Sequence, residues 1–359
     1  MPDASQYTAV VRAQTALTTT AGTSTNKFRV PPMNGVYFPL YKLAPNPLAW
    51  KNSQPPPAVI PPYVGTWIER PAAAARNWSS VASSADGTKL AACVNSGYIY
   101  TSTDSGITWG WRLNSGSRYW TSIASSSDGT KLAACATNGS YIYTSTDSGA
   151  TWTQQPNAGF RYWTSIASSS NGTKLAACAT NGSYIYTSTD SGATWVERTN
   201  AGTRIWTSIA SSADGTKLAV CATNGSYIYT SSDSGATWTQ QPNAGFRYWT
   251  SVACSSDGTK LAACATNGSY IYTSTDSGAT WVERTNAGSR LWRSVSSSAD
   301  GTRLAACASN GYIYTSSDSG ATWTQQTTPG SRNWYSIASS SDGKKLITGG
   351  YSTTIWTYS

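Results

Sequence analysis

Apolar and polar residues alternate along most of this chain in short bursts. From Tyr119 the runs "YWTSIASS", "TKLAACAT", "YIYTST" and "TWTQQ" follow one another, separated by breaks that contain "DG", "NGS" and "DSGA". Alternation over a few residues, in runs rich in Trp, Tyr, Ile and Thr, predicts half-buried strands. Gly beside Asp or Asn in every break supplies the positive φ that tight turns between antiparallel strands demand. One unit therefore reads as four consecutive strands.

The unit recurs. Aligning on the tryptophan of "W-x-S-[IV]" gives starts at Trp78, Trp120, Trp163, Trp206, Trp249, Trp292 and Trp334. The aspartate of the third break recurs at Asp104, Asp147, Asp190, Asp233, Asp276 and Asp318, at spacings of 43, 43, 43, 43 and 42 residues. A period of about 40–45 residues with four strands per unit is the mark of a β-propeller blade. The last unit stops after three strands, while "GTWIERPAAAARNW" from Gly65 matches "ATWVERTNAGSRLW" from Ala279. The expected fold class is thus all-β, a seven-bladed β-propeller of four-stranded antiparallel blades. An N-terminal outer strand at about residues 65–70 completes the C-terminal blade, so that no edge is left incomplete. The middle units alternate between "TWTQQPNAGFR" and "TWVERTNAG", the trace of a duplicated pair.

The first 61 residues differ in kind. Twelve of the 15 prolines fall within the first 71 positions, a density that regular helix and central strand both reject. The expected organisation is an extended, proline-rich arm over 1–61, with a short helix at 5–17, followed by the propeller over 62–359. Tyr37, Phe38, Tyr41 and Trp50 are the anchors by which such an arm docks on a partner.

Composition narrows the chemistry. Lys and Arg outnumber Asp and Glu by 25 to 16, which favours anionic partners. Histidine is absent, removing the commonest general base and a common metal ligand. Six of the seven cysteines occupy one equivalent position of the repeat. Sheets packed roughly 10 Å apart hold such sulfurs beyond the Cα separation of about 4.4–6.8 Å that a disulfide requires, so they are expected to be reduced and buried. The amino terminus lacks the basic start and the apolar run of roughly 7–15 residues of a secretory signal, and nothing approaches a membrane span. A cytoplasmic or particle-associated protein is expected.

The repeated "S-[TS]-D-S-G-x-T-W", found in full from Ser102, Ser145, Ser188, Ser231, Ser274 and Ser316, resembles the Asp-box, or bacterial neuraminidase repeat. That repeat occurs in sialidases, sortilin-type receptors and the propellers of photosystem II assembly factors. The resemblance covers roughly residues 62–359 and implies a propeller, but it does not choose among an enzyme, a receptor and an assembly factor. Asp104, Asp147, Asp190, Asp233, Asp276 and Asp318 are expected to be structural. Each accepts hydrogen bonds from amides two residues on, while the tryptophan covers the hairpin.

A sialidase-type hydrolase needs an acid or base carboxylate, a Tyr and Glu pair and an arginine triad, drawn from different blades. Here six of the 13 aspartates sit in the boxes and six in the "DG" turns, and the last is Asp3. Only Glu69, Glu197 and Glu283 remain, all at one place on the outer strand. The expectation is therefore no enzyme, no catalytic residue, no cofactor and no metal site.

Both aspartate-bearing turns fall on one face of such a fold, and the "NGS" turns and the links between blades fall on the other. On that second face an arginine precedes every start tryptophan by two residues: Arg76, Arg118, Arg161, Arg204, Arg247, Arg290 and Arg332. Two readings stand for this ring. Each arginine stacks on an aromatic ring and joins adjacent blades, or the ring binds an acidic protein partner, an anionic ligand or an acidic glycan. No nucleic-acid module is recognised, so nucleic acid is not the expected partner.

The favoured role is a binding or structural scaffold that presents this basic face and is anchored by its arm in a larger assembly, a virus particle being one setting. A lectin-like or receptor-like module for acidic glycans is the alternative. A factor resembling the photosystem II assembly propellers is the second.

Overall fold

The computed structural model describes residues 63–359, and the expected helix at 5–17 and the anchors Tyr37, Phe38, Tyr41 and Trp50 lie outside them. Among the described residues the chain is all-β, with 28 short strands, single turns of 3-10 helix and no α-helix. Its architecture is a β-propeller assembled from repeated four-stranded antiparallel sheets.

The unit that begins at Trp163 shows how the sequence builds each sheet. Trp163–Ser168, Leu175–Ala179, Ile185–Ser188 and Val196–Arg198 pair in chain order, every neighbour antiparallel. The second strand is buried along its whole length and the outer strand is largely exposed, so apolarity falls outward from the centre. A register shift between Trp163 and Ser165 leaves Thr164 as an unpaired bulge residue, and the same shift recurs in every unit. Bulges re-aim a side chain, and here they turn the threonine after the start tryptophan toward the next unit in four of the units.

The core lies between sheets. Trp120, Ile123, Leu132 and Tyr143 of one unit pack on Ala82, Ala91, Cys93 and Ile99 of the unit before it. The start tryptophans are fully buried, and all but Trp334 meet a tyrosine of their own third strand edge-on, as Trp120 meets Tyr143 at 5.3 Å between ring centroids. The six repeat cysteines are free and buried in this layer, and desolvation pushes the Cys93 and Cys178 thiols up to about 12.

Hydrogen bonds stitch the units together at two levels. The serine of each "W-x-S" accepts the amide of the following unit, from Ile123 N–H to Ser80 Oγ at 3.2 Å through to Ile337 N–H to Ser294 Oγ at 3.3 Å. Val81 of the first unit likewise donates to Ser336 of the last, at 3.1 Å. At the aspartate-turn end the backbone amides of Ala85, Ser127, Ser170, Ala213, Ser256, Ala299 and Ser341 each donate to the carbonyl of the next residue in that series, and Ser341 donates to Ala85, all at 2.7–2.8 Å. The orphan strand Trp67–Arg70 pairs antiparallel with Ile355–Tyr358 in the sheet of the last unit.

Candidate functional site

The aspartates of the repeated box are consumed by their own turns. In the turn from Ser145, Asp147 Oδ1 accepts from the Thr151 amide at 2.8 Å and from Ser145 Oγ at 2.8 Å, and Oδ2 accepts from Thr151 Oγ1 at 2.6 Å. Asp104, Asp190, Asp233, Asp276 and Asp318 repeat this arrangement. The amide therefore comes from four residues on. The two-residue pattern expected for the box belongs to the "DG" turns, where Asp86 accepts from Thr88. The turn bends through Ser148 and Gly149 at φ of 57° and 84°, and a Cβ on Gly149 would meet Thr101 at 2.9 Å. Glycine is thus required by both conformation and space. The indole of Trp152 donates to Gly149 O and closes the hairpin.

These bonds favour the ionised carboxylate. The threonine hydroxyl and amide hold Asp104, Asp147 and Asp233 at about 2, against an ordinary 3.8, and lower Asp190 and Asp276 in the same way. In Asp318 burial works in the opposite sense, yet Thr322 leaves the net shift downward. A group whose folded value is depressed contributes stability that is present above its unfolded value and lost as pH falls through the folded one. The urea midpoint is therefore expected to fall steeply between pH 3.8 and about 2. An Asp147→Asn, Asp233→Asn double variant should show a shallower fall, and a flat midpoint over this interval would remove the carboxylates from the stability of the fold.

The seven arginines sit at the seams between units. Their backbones bridge to the "NGS"-type turn of the unit before, as Arg161 to Ser140, Arg204 to Ser183 and Arg76 to Thr353. Their guanidinium groups lie over the tyrosine, or the equivalent tryptophan, of the third strand in their own sheet. Arg118, Arg161 and Arg247 stand 4.3 Å from the ring centroids of Tyr143, Tyr186 and Tyr272; Arg290 stands 4.5 Å from Tyr314 and Arg332 5.3 Å from Trp356. Arg161 and Arg247 also reach Glu197 and Glu283 at 3.5 Å, and among the described residues these are the two ion pairs. Arg76, Arg290 and Arg332 donate through Nε to a carbonyl three residues back. All seven are half-buried.

Around them lies a feature not anticipated from the sequence. Tyr119, Phe160, Tyr162, Ile205, Phe246, Tyr248 and Leu291 flank the arginines in the linking segments and are exposed, Phe160 and Phe246 by 65% each. The signal was present in "NAGFRYW", where large apolar residues bracket the arginine in a loop. Reading Arg161 alone passed over its neighbours.

A cavity of about 380 Å³ opens where the first strands converge on this same side. Its walls carry Thr121, Thr164, Thr207 and Thr250, together with Arg293, Tyr335 and Tyr351, and none of the seven ring arginines. Among the described residues no three of His, Cys, Asp and Glu gather in a metal-binding group. No helix among them is long and apolar enough to cross a membrane.

Neither a protein-family model nor a curated protein matches the chain. Solved propellers do. A structure of YCF48 bound to D1 peptide shares the fold at a TM-score of 0.63 with 18% identity, over 82% of this chain and 96% of that one. YCF48 from Cyanidioschyzon merolae matches at 0.63 and 15%, over 81% and 98%. The GH74 xyloglucanase from Xanthomonas campestris matches at 0.64 and 14%, over 82% of this chain and 53% of the enzyme. At such identities the likeness defines the fold and leaves the activity open.

The last neighbour corrects the expectation that this chain is no enzyme. A xyloglucanase is built on the same fold, so the architecture is no argument against catalysis. The count of carboxylates excluded one sialidase-like constellation. It did not exclude chemistry on a propeller whose units differ at single positions.

Proposed function

We propose that this protein is a protein-binding propeller of the Asp-box type, its sheets forming a closed ring of seven blades, with the partner received on the face of the "NGS" turns and linking segments. One observation carries the reading: exposed aromatic and aliphatic side chains alternate with half-buried arginines around that face. Tyr, Phe and Arg are enriched at protein interfaces, and aromatic anchors set among guanidinium groups supply most of the energy of such contacts. Seven arginines face three glutamates there, two of them paired, whereas twelve aspartates occupy turns on the other side. An acidic protein surface is the natural complement. The peptide held by YCF48 is a precedent for protein recognition by a propeller. The strand pairing of Trp67–Arg70 with Ile355–Tyr358 supports the closed ring, and the proline-rich arm over 1–61 is the proposed tether to a larger assembly.

The test is site-specific photocrosslinking of the full chain in its native source. With a photoreactive residue at Phe160 or Phe246, protein adducts are expected; with one at Ser148 or Ser234, on the aspartate-turn side, none are. Adducts confined to the aspartate side, or to glycans, would overturn the assignment.

A further inference from the structure

The residue after each start tryptophan is the bulged one: Ser79, Thr121, Thr164, Thr207, Thr250, Arg293 and Tyr335. Four threonines at this position donate to the tryptophan carbonyl of the following unit, Thr121 to Trp163 at 3.0 Å, Thr164 to Trp206 at 2.9 Å, Thr207 to Trp249 at 3.1 Å and Thr250 to Trp292 at 3.1 Å. Serine, arginine and tyrosine break the series in the other three units: Ser79 donates to Cys93 O of its own unit, and Arg293 and Tyr335 give up that bond. What replaces it is a charge inside the 380 Å³ cavity.

Arg293 is the one formally charged side chain among the residues lining that cavity. It makes no ion pair among the described residues, and its Nε is buried without an acceptor. Its Cζ lies 5.5 Å from the Tyr335 ring centroid, and Tyr335 meets Tyr351 edge-on at 5.1 Å. The phenol groups of Tyr335 and Tyr351 hydrogen-bond to nothing among the described residues. A guanidinium set against a ring, with no ion-pair partner and no acceptor for its Nε, calls for an anion with several acceptor oxygens. Leaving its buried Nε unmatched is costly. Hydroxyl and amide donors from Tyr335, Tyr351 and Asn95 line the same space, so a tetrahedral group, with more acceptor oxygens than a carboxylate, has more partners to meet there.

We propose that the cavity at Arg293, Tyr335 and Tyr351 binds a small ligand through a tetrahedral oxyanion, a phosphate or sulfate group. The site is separate from the rim that receives the protein partner.

Inorganic phosphate, sulfate and acetate titrated calorimetrically into the full chain at matched ionic strength test this. Saturable binding of phosphate or sulfate is expected, with acetate much weaker, and the preferred tetrahedral ion identifies the head group. Arg293→Thr, which writes the consensus residue of the other units into this one, should weaken binding about 10- to 100-fold while melting no earlier than the parent. Arg293→Gln, of similar reach, provides a second loss of charge, and Lys131→Gln, on the opposite face, should leave the titration unchanged. Undiminished binding in both Arg293 variants, no saturable binding in the parent, or acetate binding as well as phosphate would overturn the proposal.

Discussion

Replacing Trp120 by alanine is expected to lower stability by about 3–5 kcal/mol, the cost of deleting a large aromatic from a core that cannot collapse around the space. The indole is fully buried and fills the layer between two sheets, against Ala82, Ile99 and Tyr143. It also donates to Gly116 O at 3.3 Å. At this domain size the melting temperature should fall by roughly 10 °C. Phenylalanine at the same place should recover about half of the loss, since it restores the edge contact with Tyr143 but not the full volume. Differential scanning calorimetry of the two variants measures both effects. A drop below about 1 kcal/mol for the alanine variant would mean that the sheets repack freely and that the tryptophans do not set their spacing.

A larger effect is expected from removing the chain before Asn77. This deletes Trp67–Arg70 and with it the ladder to Ile355–Tyr358, the Arg70 Nε to Thr357 Oγ1 bond at 2.7 Å and the buried Trp67 ring against Tyr358. Ile355–Tyr358 would then become an apolar edge with unpaired amides, a template for association with another chain. The truncated protein should elute from a sizing column as aggregate or oligomer, whereas a chain beginning at Tyr63 stays monodisperse. Adding a peptide of residues 63–76 in trans should restore the parent profile. A monomeric truncated protein with an unchanged melting temperature would show that this strand is dispensable.

Much of the fold was legible because its information is local and repeated. Strand runs such as "TKLAACAT" and turns such as "DSGA" are each specified within a few residues, and the start tryptophans mark the period without any knowledge of long-range contacts. Even the pairing of Trp67–Arg70 across the chain could be read, because a fragment of the repeat stood alone at one end and was missing at the other. The joints between units were not legible. Ser122 Oγ accepts from Ile166, a residue 44 positions on, and nothing in "WTSI" distinguishes a serine that bonds across a seam from one that faces water.

The candidate site divides in the same way. The seven arginines were visible as a periodic feature, while the exposed Phe160 and Tyr162 beside them became meaningful only when their side chains proved to have no core to enter. Arg293 was hidden for the opposite reason. It is a departure from the repeat, and a reading that follows recurrence passes over the position where "WTS" becomes "WRS". Which side chains share a cavity is a property of the bulge that aims them, and the bulge leaves no mark in composition.

The seams of the middle units are chemically alike, each pressing alanine, cysteine and isoleucine onto the tryptophan, leucine and tyrosine of the next. The joint between the last unit and the first is written differently. Gly349 stands where the others have cysteine, a Cβ there would meet Trp78 at 2.8 Å, and Ile347, at a position where the others have alanine, supplies the bulk instead. During folding, the interchangeable seams give adjacent copies no means of telling a correct neighbour from a copy of it. The odd joint gives the first and last units a mutual fit that the internal seams do not share, so it marks out one correct pairing among otherwise interchangeable copies.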